Sequence, residues 1–291
     1  MNGAHRTTRY NTAALVTHSS TMTHHDFQAP SSEVLAALQA NLDGTEIIDL
    51  YQANLSGLDL KERVLKQARL VRANLRGANL EGADLQEADL RGADLSGASL
   101  ARANLKGACL YRVNLSGADL TDATLTDTQL DIARYDSQTQ FPDGFAYKSS
   151  GAVGPGANLN GAPLNTANLR YSDLQRASLL GAYLTGADLT GANLTGARLS
   201  NADLRRSLLT GACLRSARIN GVNLAAADVR AVDFTDAEFD TLESIAGADF
   251  TLVQGISQEK RAYLQSRPEA ELDTWNAFTR KTTRESLQEP E

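Results

Sequence analysis

From Leu50 onward an apolar residue returns at every fifth position: Leu55, Leu60, Leu65, Leu70, Leu75, and on without a slip to Leu130 and Tyr135, 18 quintets in succession. After an interruption Leu159 restarts the count, which runs through 17 more quintets to Phe239, and Phe250 follows one residue out of step. Two places before each of these stands a small residue, usually alanine, with Asn or Asp between the two. The unit is Ala-(Asp/Asn)-Leu-x-x, and Gly takes the last position in 14 units, among them Gly77, Gly92, Gly186 and Gly191.

A helix of period 3.6 or a strand of period 2 cannot keep every fifth residue on one face over some ninety positions. The chain therefore has to turn once per unit. Gly supplies freedom at the repeated turn position, and Asn or Asp bonds to nearby backbone there. Four corners close a square of about 20 residues, and coils stacked like parallel strands rise about 4.8 Å each, so about nine would make a rod roughly 43 Å long. Leucines fill the centre, and alanine is required beside them because overpacking costs on the order of 1–3 kcal/mol per site. Ala93→Trp should then unfold or loosen the core, whereas Asp94→Ala, at an outward position, should be nearly silent. Arg63 stands where alanine is expected and predicts a local bulge or a side chain that reaches solvent.

The runs ANLRGANLEGADLQEADLRGADL and GADLTGANLTGARLSNADL resemble the pentapeptide-repeat family over about residues 46–255. The resemblance implies an all-β, right-handed quadrilateral parallel β-helix. Short α-helical caps are expected at both ends, because bare strand edges invite association. Residues 1–30 are assigned to a disordered tail and 31–44 to a cap helix opened by Ser31 and Ser32, with Leu35, Leu38 and Leu42 on one face. Repeat block 1 spans 46–135, block 2 spans 157–255, and 256–291 forms a C-terminal helical cap and tail. In that cap Ser257 to Ser266 is helical, and a second helix opens at Pro268 with acids first, Arg280, Lys281 and Arg284 towards its end, and an apolar stripe of Leu272, Trp275 and Phe278. The stripe is either a cap or a homodimer contact.

Between the blocks, 136–156 breaks the rhythm with Phe141-Pro-Asp-Gly-Phe145 and Gly151-Ala-Val-Gly-Pro-Gly156, composition that marks irregular chain. YDSQTQFPDGF and the following GPGANLNGA also look like an insertion in cyanobacterial-type members of the family. It is either a spur from one continuous rod, the favoured alternative because end-to-end cores need no second pair of caps, or a hinge between two rods.

Charge and rare residues narrow the function. A net charge of -7 lacks the basic excess of a general nucleic-acid binder, and no apolar run has the length of a membrane span. Cys109 and Cys213 fall about five coils apart, too far for a disulfide, which fits a reducing, cytoplasmic setting. Residues 1–25 carry no Asp or Glu and are a tail, the consequence of an upstream start ahead of Met22, or a transit peptide. All four histidines, His5, His18, His24 and His25, precede the repeats, which leaves the repeats no histidine base or ligand. There is no HExxH, Cys-x-x-Cys or P-loop, so no enzyme activity, cofactor, metal or small-molecule substrate is expected.

The expected role is a scaffold that binds an unidentified protein. Stepping by 20 gathers Tyr51, Arg69, Arg72, Arg91, Tyr111 and Arg112 on one outward face, and Arg and Tyr are favoured interface residues. Phe141 and Phe145 in the insertion, and Trp275 and Phe278 in the cap, are further candidates, against the alternative that the loop rings pin the loop to a face. The second hypothesis comes from the resemblance: some quinolone-resistance members mimic duplex DNA and bind gyrase. Mimicry needs carboxylates stacked in successive coils, and neither block supplies them before the central leucine. No direct nucleic-acid or membrane contact is expected.

Overall fold

The protein's computed structural model describes Val34, Ala36, Leu38 and residues 46–288. The chain comprises two compact units, Met1–Phe145 and Ala146–Glu291. Val34, Ala36 and Leu38 have helical backbone and Leu38 is buried; the rest of the predicted N-terminal cap, and the tail before it, lie outside the described residues.

In each unit the chain meets itself again after 20 residues in parallel register: Asn54 bridges Asn74, Asn74 bridges Asp94 and Asp94 bridges Asn114 in the first, and Asn158, Ser178, Arg198 and Arg218 do the same in the second. Only single-residue bridges form. Each five-residue side gives just one bridging residue before the next turn, so the described residues contain no longer strand. The central leucines from Leu55 to Leu120 and from Leu159 to Leu214 are buried, and so are nearly all the alanines two places ahead of them. Each buried leucine contributes roughly 1.5–3 kcal/mol.

The repeat becomes intelligible when the backbone N–H groups of one unit are followed in turn. Leu75 N–H donates to Asp94 O at 2.8 Å and Gly77 N–H to Ser96 O at 2.9 Å, both on the next coil. Asn74 N–H donates back to Ala53 O at 2.9 Å, and Ala78 N–H closes the turn onto Leu75 O at 3.0 Å. The fifth, on Arg76, meets no carbonyl and donates instead to Asn74 Oδ1 at 3.2 Å. The same contact joins Asp94 to Ser96 N–H (3.0 Å), Asp188 to Thr190 N–H (3.0 Å) and Asp249 to Thr251 N–H (2.8 Å). Backbone donors must be satisfied, and the Asn/Asp of the repeat satisfies the one that coil stacking leaves over. Side-chain amides add rungs between coils, Asn74 Nδ2 to Asn54 Oδ1 at 3.0 Å and Asn114 Nδ2 to Asp94 Oδ1 at 3.1 Å.

The turns carry the sign pattern of type II, with positive φ at the second central residue. Every fifth residue from Gln52 to Ile132 and from Gly156 to Asp236 has φ between 53° and 70°. Glycine fits there without strain, yet the position also holds Arg72, Arg112, Thr166 and Tyr171. At Gly191 the absent side chain is needed as well, since a Cβ would lie 2.5 Å from the ring of Tyr171 on the preceding coil.

Departures from the unit are absorbed locally. Arg63 forms no bulge: its N–H donates to Leu60 O, its carbonyl accepts from Asp84 N–H, and the half-buried side chain reaches solvent. Ser172 and Ser207, buried at alanine positions, turn their hydroxyls onto Leu169 O and Leu204 O at 2.7 and 2.6 Å. Two sides are six residues long, Tyr135 to Phe141 and Phe239 to Ile245, and there the register steps by 21, with Asp119 bridging Gln140 and Asn223 bridging Ser244. The second explains why Phe250 falls out of step, and the first carries the bridging of the first unit into 136–145. Beyond it the chain has a short 3-10 turn at Tyr147–Ser149.

The last coil of the second unit has no successor to receive its N–H groups, and side chains of the C-terminal segment replace it. Leu242 N–H donates to Tyr263 Oη at 2.9 Å, Ile245 N–H to Glu271 Oε2 at 3.3 Å and Phe250 N–H to Ser286 Oγ at 3.0 Å. Arg267 donates to Leu242 O and Glu243 O, Asn276 to Gly247 O and Thr283 to Ile245 O. Helix α1, Gln258–Gln265, has the expected bounds with Ser257 as its N-cap. The long second helix does not form. Pro268 caps a four-residue α2, Glu269–Leu272, and a separate α3, Thr283–Ser286, starts at a Thr282/Glu285 capping box. Between them the buried Asn276 ties the loop down by accepting from Phe278 and Thr279 N–H, Arg280 takes φ of 58°, and Trp275 bridges Thr282 in antiparallel sense. The predicted stripe is consequently split, with Leu272 buried while Trp275 and Phe278 are 56% and 70% exposed.

The accounting corrects the expectation that Asp94→Ala is silent. That variant should lower stability by about 0.5–1.5 kcal/mol by losing its bonds to Ser96 N–H and Asn114, while Asp94→Asn keeps an acceptor and melts like wild type. Ala93→Trp should abolish the cooperative melt; equal melting of the alanine, asparagine and tryptophan variants would contradict the scheme. At the exposed Thr166, φ of 54°, replacement by glycine should stabilise by up to about 1 kcal/mol, and Asn165→Gly, one residue earlier where φ is not positive, should not.

Candidate functional site

The column of outward residues around Leu50, Leu70, Leu90 and Leu110 begins with the bridged series Asp49, Arg69, Asp89, Cys109, Gln129. Because register in the first unit is strictly 20 along this column, all six residues predicted for the face do share it. Arg72 N–H donates to Arg91 O and Gly92 N–H to Tyr111 O, which sets Arg72, Gly92 and Arg112 in line at one corner. Arg72 Cγ lies 3.6 Å from where a Gly92 Cβ would stand, so the arginine passes over the glycine.

The arginines are held in two ways. Arg69 pairs with Asp49 at 2.8 Å and lies over the ring of Tyr51, 4.7 Å from its centroid. Arg91 grips Asp89 with two bonds, Nε to Oδ1 at 2.8 Å and Nη2 to Oδ2 at 2.6 Å. That bidentate bond, ahead of the Arg91 backbone N–H, holds the Asp89 carboxyl below its ordinary pKa and pushes Arg91 up. Arg112 stacks on Tyr111 at 5.0 Å. Exposed contacts of these kinds contribute little energy individually, but they fix side chains that would otherwise lose rotamer entropy on binding.

The other candidates lie elsewhere. Phe141 stacks edge-on against the buried Tyr135 at 5.5 Å and Phe145 stacks on Phe141 at 5.9 Å, so both rings are half-buried against the end of the first unit. Trp275 and Phe278 belong to the second unit. Sequence reasoning did not single out Tyr171, Tyr183 or Leu252, exposed by 72%, 54% and 64%. Leu252 falls on the column of Tyr171 only through the six-residue side at 239–245, an offset that Phe250 already signals.

Among the described residues no group of His, Cys, Asp and Glu side chains could hold a metal, and no helix is long and apolar enough to cross a membrane. Both cysteines are free and half-buried. The position before the central apolar residue places acids on successive coils at Asp228 and Asp249, brought together by the step of 21. They are 5% and 1% exposed, and Asp228 is gripped by Arg230 at 2.8 and 2.7 Å, so this pair presents no anionic surface.

The sequence model for pentapeptide repeats matches in eight copies across residues 64–131 and 156–224. The chain is 36% identical to alr5209, a pentapeptide repeat protein of Nostoc PCC 7120, over 41% of this chain and 93% of that one, with a TM-score of 0.23. The chain belongs to the pentapeptide-repeat family. It is also 26% identical to HetL, a pentapeptide repeat protein involved in heterocyst differentiation regulation in Nostoc sp. strain PCC 7120, over 78% of this chain and 95% of that one (TM-score 0.24). To QnrB1, a plasmid-mediated fluoroquinolone resistance protein, it is 16% identical over 76% and 98%, with a TM-score of 0.23. No curated protein matches the chain. Membership accounts for the Ala-(Asp/Asn)-Leu-x-x unit; the Tyr/Arg column lies mostly at the two variable positions of that unit.

Acid sensitivity follows from the carboxylates at the corners. Asp233, bonded first by the Thr235 hydroxyl and then by Arg215, is lowered to about 2. A carboxyl depressed in the folded state contributes stability that is full above its unfolded pKa and is lost as pH falls through the folded one. Asp233→Asn should therefore flatten the loss of stability between about pH 4 and about pH 2, read from urea midpoints at each pH, and an unchanged slope would remove Asp233 from the cause.

Proposed function

We infer that this pentapeptide-repeat protein is a non-enzymatic scaffold whose coils, wound as a right-handed quadrilateral β-helix, hold a protein-binding face rigid. The observation that carries the reading is the Tyr51–Arg112 column: six Tyr and Arg side chains on one face, five of them stacked or paired before any partner arrives. Rigid presentation of Tyr and Arg suits a binding surface, because little side-chain freedom remains to be lost. Among the described residues, a filled Leu/Ala core with each face a narrow ridge leaves no pocket in which unlike polar groups could converge on a substrate. Free cysteines fit a reducing compartment, which the reading takes to be the cytoplasm. Gyrase binding by DNA mimicry ranks below it, since the acids on the columns alternate with Asn and Arg and the stacked pair is buried.

The test is affinity capture from the native lysate with the full chain as bait, wild type against a Tyr51→Ala, Tyr111→Ala double variant of matched thermal stability. Proteins retained by wild type and lost by the variant are expected. Identical capture by both removes the face from the reading, and inhibition of gyrase supercoiling by the purified chain would promote the mimic.

A further inference from the structure

The Tyr/Arg column differs from one of its two neighbours in the one donor that the repeat normally satisfies from within; on the other, that of Leu65, Leu85, Leu105 and Leu125, the Lys66 and Thr126 N–H groups likewise meet no acceptor among the described residues. On the column of Leu55, Leu75, Leu95 and Leu115 each leftover N–H is taken by its own Asn or Asp: Ser56 by Asn54, Arg76 by Asn74, Ser96 by Asp94 and Ser116 by Asn114. On the Tyr/Arg column only Tyr51 and Arg91 are served in this way, by Asp49 and Asp89. Arg69 and Cys109 occupy the equivalent place on the other two coils, and neither has a carboxylate or amide oxygen to offer its turn. The N–H groups of Val71 and Tyr111 meet no acceptor among the described residues.

Charge on the same four coils leans the same way. Arg69 and Arg91 are matched by Asp49 and Asp89, whereas Arg72 and Arg112 have no carboxylate partner among the described residues. Four arginines against two aspartates leave two cations in surplus at one corner, two coils or about 10 Å apart at the usual rise. Substituting arginine and cysteine for Asn/Asp thus removes acceptors and leaves donors. Such a strip is complementary to a ligand rich in acceptor oxygens.

We propose that the Tyr51–Arg112 column receives an acidic segment of a partner protein, whose carboxylates bond to Arg72, Arg112 and the free N–H groups of Val71 and Tyr111. This rests on the protein-binding reading above and names the partner's chemistry. Tyrosine rings interleaved with the arginines supply flat contact for the segment's uncharged side chains, which a bare phosphate backbone would not use. The net charge of -7 disfavours a long polyanion across the rest of the molecule, so a short local acidic stretch is the better fit.

The experiment is a fluorescence-anisotropy titration of the full chain into a labelled alternating Glu-Thr peptide at low salt, beside a Lys-Thr peptide and a single-stranded oligonucleotide of equal length. Wild type should bind the Glu-Thr peptide, lose it as salt rises, and bind it about tenfold more weakly when Arg72→Gln and Arg112→Gln are combined. A Cys109→Asp variant, which restores a turn acceptor and adds a negative charge, should weaken binding as well; the double arginine variant should melt like wild type and Cys109→Asp no lower. No binding of the Glu-Thr peptide, equal binding by the variants, or preference for the oligonucleotide overturns the proposal. If it fails in any of these ways while affinity capture still depends on Tyr51 and Tyr111, the face remains a protein-binding one and only the acidic class is wrong.

Discussion

Everything in this protein depends on a backbone that must turn a corner every five residues and still satisfy nearly all its donors. Four of the five N–H groups in a unit are satisfied by backbone carbonyls, three on neighbouring coils and one across the turn, as the unit around Leu75 shows. The fifth depends on the Asn or Asp side chain just before the leucine. A turn with positive φ makes that arrangement possible, and the buried leucines and alanines make it stable. The repeat is therefore a hydrogen-bonding scheme as much as a packing scheme.

That scheme leaves two positions per unit almost unconstrained in chemistry, and these are the positions on which surface character can be written. Where the scheme is locally relaxed, as at Arg69 and Cys109, the stack survives because the leucine core is untouched. On the reading proposed above, function comes from the pattern of side chains along a column rather than from a cleft. The ends are a different problem: the last coil of the second unit has N–H groups with no following coil, and Tyr263, Glu271 and Ser286 complete them with side-chain oxygens.

The C-terminal cap shows where reasoning along the sequence reaches its range. Ser257 as N-cap and the helix after it were legible because capping is a local contact. The helix expected from Pro268 to Arg284 was not, because the residue that interrupts it, Asn276, acts through Gly247, 29 residues away. The candidate face was legible for a related reason: strict register of 20 converts spacing into position, so Tyr51, Arg72, Arg91 and Arg112 could be placed together from numbers alone. The same arithmetic failed beyond each six-residue side, where Gln140 and Asp249 shift by one.

The sequence by itself determined the five-residue turn, the leucine and alanine interior, and the column on which each outward residue stands, since a strict period with one buried position admits a single way of folding back. Only the tertiary structure decided how the Asn and Asp side chains join one coil to the next and how the final coil is closed. Those outcomes turn on hydrogen bonds between residues 20 or more apart, and a bond of that kind has no signature until the coils are stacked.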